Sequence, residues 1–126
     1  GLALGTALAE SLGDKAGIRR FGEASVPMDD ALVRAVVDLS GRPFLGYRVD
    51  VDAYEVGGIA PRLFREFFQA FVNNARIALH VDRLAGEEPH HVLEAAFKAV
   101  GRALDAACAF DERVSGALST KGTLTA

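Results

Sequence analysis

The sequence predicts an α+β fold: a mostly antiparallel four-stranded sheet covered on one face by helices. Three observations lead there. Extended segments come in a run, Phe21–Met28, Ala31–Leu39 and Phe44–Val51, before the pattern turns helical. Pro61 then opens a segment in which Phe64, Phe67, Phe68, Phe71, Val72 and Ala75 recur at i, i+3, i+4 and i+7, the spacing of one buried helix face. A short apolar strand, Ile77–Val81, leads to a second proline-initiated helix running from Pro89 to about Cys108. Strands in a run followed by mixed elements pack as α+β.

The remaining elements follow in order. Leu4, Leu8 and Leu12 recur every four residues beside Ala7, which predicts a short first helix stopped by Gly13. Asp29-Asp30 is the turn between the first two strands. Ser40-Gly41-Arg42-Pro43 breaks the second strand from the third, and Gly57-Gly58 punctuates the loop before Pro61. His80, in an apolar strand, reads as structural. The stretch 111–126 is polar and rich in Gly, Ser and Thr, so it reads as a surface extension.

A chain of 126 residues, half of them hydrophobic, supports one compact domain with a real core. The net charge of -3 implies no basic face, which argues against a nucleic-acid partner. Cys108 is the single cysteine, so no internal disulfide forms, in keeping with a reducing compartment. No apolar run has the length of a membrane span. The N-terminal GLALGTALAESLGDK lacks the basic start of a signal peptide. Together these predict a cytoplasmic protein with no membrane partner.

The chemistry concentrates in EEPHHVLEAAFK, Glu87 to Lys98. On a helix Leu93, Phe97, Val100 and Leu104 fall within about 60° of each other and make a buried stripe. His90, Glu94 and Lys98, at i, i+4 and i+8, line its flank, with His91 beyond them on the same side. Imidazole and carboxylate together suit a borderline divalent metal such as Mn, Fe or Zn. Adjacent histidines point about 100° apart, so they serve two ions, or one ion and one substrate, rather than chelating one. The competing reading is a solvated helix start with a glutamate placed well for the helix dipole.

An internal match bears on that choice. ALGTALAE at Ala3–Glu10 and AVGRALDA at Ala99–Ala106 share A-x-G-x-A-L. If this is a repeat, the counterpart of the HHxxE at His90, His91 and Glu94 falls just before Gly1.

Five segments, in order, resemble the imidazoleglycerol-phosphate dehydratase family: GDKAGIRRFG (Gly13–Gly22), VPMDDAL (Val26–Leu32), DLSGRP (Asp38–Pro43), HHVLEAAFKAVGRAL (His90–Leu104) and STKGTL (Ser119–Leu124). The resemblance implies two duplicated half-domains, each with an HHxxE. It divides this chain into residues 1–14, the terminal helix of the first half-domain; 15–110, the second half-domain; and 111–126, a substrate-binding tail. The expectation is that the first HHxxE is absent here, so that this chain alone lacks half of the metal ligands. The implied reaction is dehydration of imidazole glycerol phosphate to imidazole acetol phosphate in histidine biosynthesis, with two Mn²⁺ ions per site binding the ring as an imidazolate. Implied too are active sites between the subunits of a homo-oligomer of twenty-four.

By the same resemblance His90, His91 and Glu94 are Mn ligands. Glu94 and Lys98 are the candidate catalytic pair, with Lys98 equally readable as a solvated lysine. Glu66 is a departure: many family members carry a histidine ligand there, and a carboxylate can also bind Mn, the competing reading being an exposed glutamate. The substrate phosphate needs fixed donors, and the resemblance places Arg20, Arg42, Ser119 and Lys121 there, with Arg19 the neighbour most easily confused with Arg20. Asp29 reads equally as a residue near the site or as a turn aspartate. The alternative function is a catalytically incomplete fragment that acts only as a metal-binding or assembly module.

Overall fold

The computed structural model describes residues 1–125; Ala126, the last residue of the expected tail 111–126, lies outside the described residues. The elements are α1 (Leu2–Leu12), β1 (Phe21–Met28), β2 (Ala31–Asp38), β3 (Phe44–Arg48), α2 (Pro61–Ala75), β4 (Ala78–Ala85) and α3 (Pro89–Cys108). The expected α+β order is the observed one. The four strands form one sheet in the order β1-β2-β4-β3. β1 pairs with β2, and β2 with β4, antiparallel; β3 joins β4 parallel, with α2 as the crossover between them.

The sheet has two unlike faces because side chains alternate along a strand. Ala31, Val33, Ala35 and Val37 of β2, with Leu79 and Val81 of β4, are buried beneath the helices. Arg34, Val36, Asp38, His80 and Asp82 lie on the opposite face, half-buried or exposed. There the His80 ring sits 5.2 Å from that of Phe44, and its Nδ1 lies 3.0 Å from an Arg48 nitrogen. β4 runs on to Ala85, past the expected end at Val81, because Asp82 and Arg83 still pair with Arg34 and Val33.

α3 lies across β1 and β2, α2 packs against β3, and α1 packs on α2. Phe68, Phe71, Val72 and Ala75 fill the core from α2; full burial of a side chain such as Phe68 contributes about 1.5–3 kcal/mol. Of the expected α3 stripe, Leu93 and Val100 are buried and Leu104 is half-buried, but Phe97 is not, and a row of small residues is buried more deeply. Val92, Ala95, Ala96, Ala99, Ala103 and Ala107 are fully buried, whereas Phe97 is 39 % exposed. The cause is the close approach of β1. A Cβ on Gly22 would lie 2.1 Å from the Ala103 carbonyl oxygen, so only small side chains fit between strand and helix. Phe97 instead meets Phe67 and Phe68 of α2, at 5.5 and 4.8 Å between ring centroids. In α1, Leu4 is exposed and Gly5 is the buried residue, because the bare Gly5 backbone seats α1 on Phe71 and Asn74.

Candidate metal and phosphate sites

The N-terminus of α3 is built by its cap. Glu88 is the N-cap, and its carboxylate accepts from the His91 backbone N–H at 2.7 Å, while Pro89 takes the first turn, where no N–H is needed. This holds His90 and His91 in the opening turn. His90 Nε2 lies 3.0 Å from Glu94 Oε2, and Lys98 Nζ donates to Glu94 Oε1 at 2.8 Å. The expected flank of His90, Glu94 and Lys98 is therefore a continuous chain of contacts. Lys98, and then His90, hold the Glu94 carboxyl below its usual range.

His91 faces a different carboxylate. Its Nδ1 lies 2.8 Å from Asp30 Oδ1, and its Nε2 is 3.5 Å from Asp29 Oδ2. The other Asp30 oxygen accepts from the backbone N–H groups of Glu87 and Glu88 at 2.9 and 3.2 Å. The hydrogen bond that the His91 ring donates to Asp30 raises the His91 pKa, and the same contact, with the two backbone donors, pushes Asp30 well below the usual carboxylate range. The Asp29-Asp30 turn thus meets the helix start. Asp29 was visible from the sequence as a residue near the site; Asp30 was not, and only the packing of the β1–β2 turn on α3 picks it out.

The two imidazole rings stand 81° apart with centroids separated by 6.5 Å. Each is paired with its own carboxylate. Among the described residues no three His, Cys, Asp or Glu side chains converge to enclose one metal ion. Glu66 lies exposed on α2 with Arg62 at 3.5 Å.

A second polar cluster forms where residues 13–22 meet the C-terminal stretch. Arg20 Nε and one terminal nitrogen fork onto Asp38 at 2.6 and 3.1 Å, and the other terminal nitrogen donates to the Leu118 carbonyl at 2.7 Å. The guanidinium also sits 4.7 Å over the Phe21 ring. Arg20, Phe21, Arg113, Leu118, Ser119 and Thr120 line an open groove of about 590 Å³. Arg20, not Arg19, lines it; the Arg19 backbone N–H bonds the Ala109 carbonyl. Within the tail, the Lys121 N–H donates to Ser119 Oγ at 3.1 Å and Gly122 N–H to the Ser119 carbonyl at 3.1 Å, a tight turn that leaves the Lys121 side chain exposed. Arg42 is exposed on the bend after Leu39, braced by Ser40, whose Oγ accepts from the Arg42 N–H at 3.2 Å. That bend adjoins Arg20 through the bond from Leu39 N–H to the Arg20 carbonyl.

The two clusters lie at opposite ends of α3. His90 and His91 occupy its first turn, while the Arg20 N–H bonds the carbonyl of Ala107 in its last. A helix of 20 residues is about 30 Å long at a rise of about 1.5 Å per residue. No small substrate reaches both from one copy of this chain.

A family model described as imidazoleglycerol-phosphate dehydratase matches residues 1–104. The chain belongs to this family. It is 57% identical over 125 residues to the imidazoleglycerol-phosphate dehydratase of Ruegeria pomeroyi, covering 98% of this chain and 64% of that protein. It is 56% identical over 126 residues to that of Acidithiobacillus ferrooxidans, covering 99% and 63%. The fold is similar to the crystal structure of the Pyrococcus furiosus family member, with a TM-score of 0.85, 42% identity, and 98% of this chain and 66% of that one covered. For the Staphylococcus aureus dehydratase the TM-score is 0.84, at 41% identity, covering 87% and 64%. The chain spans a little under two thirds of the length of the curated dehydratases it matches.

Proposed function

We propose that this chain is a subunit component of a Mn-dependent imidazoleglycerol-phosphate dehydratase, which removes water from imidazole glycerol phosphate to give imidazole acetol phosphate in histidine biosynthesis. The observation that carries the reading is the placement of the two clusters. The histidine flank and the arginine groove carry the donors that a ring-binding metal and a phosphate need, yet they sit at opposite ends of α3 on one chain, roughly 25 Å apart along the helix axis. They meet at one substrate only if different copies supply them, which fits a homo-oligomer with sites between subunits, twenty-four in the family's usual assembly.

The donor set suits Mn²⁺: two imidazoles and the Glu94 carboxylate on one flank, with His91 already oriented by Asp30. His90 with Glu94, and His91 separately, would each hold one of two ions, with Glu66 of another copy as a further carboxylate ligand. Bound Mn²⁺ would withdraw electron density from the substrate ring and so stabilise charge on the carbon that loses its proton. Dehydration also needs a proton acceptor for that carbon and a donor to the departing hydroxyl. Glu94, kept ionised by Lys98 and His90, is the acceptor on this flank, and the Lys98 ammonium is the donor beside it. Arg20, Arg42, Ser119 and Lys121 would bind the phosphate. Asp38 and Leu118 already occupy three of the five N–H directions of Arg20, leaving two for a phosphate oxygen.

Among the described residues no helix is long and apolar enough to cross a membrane, and a biosynthetic role of this kind belongs in the cytoplasm. The lack of three convergent ligands among the described residues favours a second reading, a metal-binding or assembly module without catalysis. Bound Mn and turnover measured on the purified assembly separate the two. Two Mn per complete site with dehydratase turnover supports the enzyme. One weakly held metal and no turnover supports the module.

A further inference from the structure

Lys15 is one of two buried polar or charged residues among the described residues, only 5 % exposed, and its ammonium donates to the Leu124 carbonyl at 3.1 Å. Burial, and then the charge of Arg76, push its pKa down, with Asp38 acting the other way. Placing an ammonium inside a protein is costly, so its position calls for a reason. The backbone adds to the cost. Lys15 has φ 60 and Arg20 has φ 71, a region that side chains other than glycine's seldom enter. Arg76, which lines the same small cavity as Lys15, Leu124 and Thr125, has φ 57. Arg76 takes this conformation as the C-cap of α2, so among the described residues Lys15 and Arg20 are the ones that hold it beside the C-terminal stretch, and strain of this kind persists where the surrounding structure holds it for a purpose.

That stretch is tied at both ends. At its start the Asp111 N–H donates to the Gly17 carbonyl at 2.8 Å, the Gly17 N–H to the Gly116 carbonyl at 2.9 Å, and Ala16 bridges Ala117. Arg20 then takes the Leu118 carbonyl. At its far end Leu124 is buried, 3 % exposed, between exposed Thr123 and Thr125, and its carbonyl is the acceptor for Lys15. The turn from Ser119 to Gly122 hangs between these ties, beside the Arg20 groove.

We propose that Lys15 is a positioning residue: together with Arg20 it clasps the C-terminal stretch at both ends, turning Ser119–Gly122 from a free tail into a closed loop set for an anionic group. The proposal rests on the phosphate reading of Ser119 and Lys121 given above. A loop ordered beforehand binds more tightly because its side chains need not be ordered on binding.

The test compares Lys15→Met, which keeps the stem and removes the ammonium, with Leu124→Ala, which loosens the same tie from the tail side, and with Lys121→Ala. Amide hydrogen exchange at residues 123–125 reports the tie, and titration with inorganic phosphate reports the groove. The expected result is loss of exchange protection at 123–125 in Lys15→Met and Leu124→Ala, with phosphate affinity weakened about five- to tenfold, the effect of having to order two side chains on binding. Should Lys15→Met fail to fold, Leu124→Ala carries the same test. Unchanged protection overturns the clasp. Lost protection with unchanged affinity, while Lys121→Ala weakens binding, overturns the positioning role and leaves the phosphate reading intact. No effect on affinity from any of the three variants removes the phosphate reading itself and the proposal with it.

Discussion

Replacing Arg20 by alanine removes one group from two arrangements at once. Its guanidinium forks onto Asp38 at 2.6 and 3.1 Å and holds the Leu118 carbonyl at 2.7 Å. The two charged side chains are 15 % and 25 % exposed, so the pair is mostly withdrawn from water. Exposed pairs couple by about 0.2–1 kcal/mol, and stripping one partner from a fully buried pair costs about 3–5 kcal/mol. This pair lies between those limits, so Arg20→Ala should destabilise by about 2–3 kcal/mol, Asp38 being left without its counter-charge. At about 4 °C per kcal/mol for a domain of this size, Tm falls by about 10 °C. A double-mutant cycle with Asp38→Ala, followed by urea unfolding, isolates the pair, with an expected coupling of about 2 kcal/mol. The double variant should recover part of the loss, since it no longer strands the carboxylate. A coupling below about 0.5 kcal/mol, the level of an exposed pair, would refute the reasoning. Arg20→Lys adds a check. It keeps the charge but not the fork, so it should lose most of the stability while retaining part of any phosphate attraction.

Other outcomes can be stated more briefly. His91→Ala should strip Mn from the dialysed protein while leaving far-UV circular dichroism and Tm close to wild type; unaltered Mn content removes the ligand assignment. Asp30→Ala should weaken Mn affinity about 10–100-fold through loss of the orienting bond to His91, and an unchanged affinity alongside a metal-free His91→Ala would show that Asp30 does not orient the ring. Arg42→Ala should raise KM for the phosphorylated substrate with a smaller effect on kcat, so an unmoved KM counts against its phosphate role. Asp111, held down to about 2 mainly by the Arg113 side chain and also by its backbone N–H, contributes stability that is complete above the ordinary carboxylate pKa of 3.8 and is lost as pH falls through about 2. Arg113→Ala should move its NMR titration midpoint up toward 3.8, and a midpoint that stays put contradicts the pairing.

Much of this protein is determined by local order in its sequence. Pro61 and Pro89 open helices because proline suits a first turn, Gly13 closes α1, and the Asp29-Asp30 turn divides β1 from β2. The flank of His90, Glu94 and Lys98 follows from spacing along one helix, and the five quoted segments carried the family resemblance. Other features depend on residues far apart in the chain. Periodicity indicates which side chains share a face, but not how near the next element comes. The alanine row of α3 is buried because Gly22 lets β1 close to backbone distance, leaving the larger Phe97 to face α2. His91 finds Asp30 across 61 residues, Arg20 finds Leu118 across 98, and Lys15 finds Leu124 across 109. Nothing in the spacing of any one element encodes those meetings. They are decided when the sheet, the helix and the tail pack together, and the same packing sets the histidine flank and the arginine groove at opposite ends of α3.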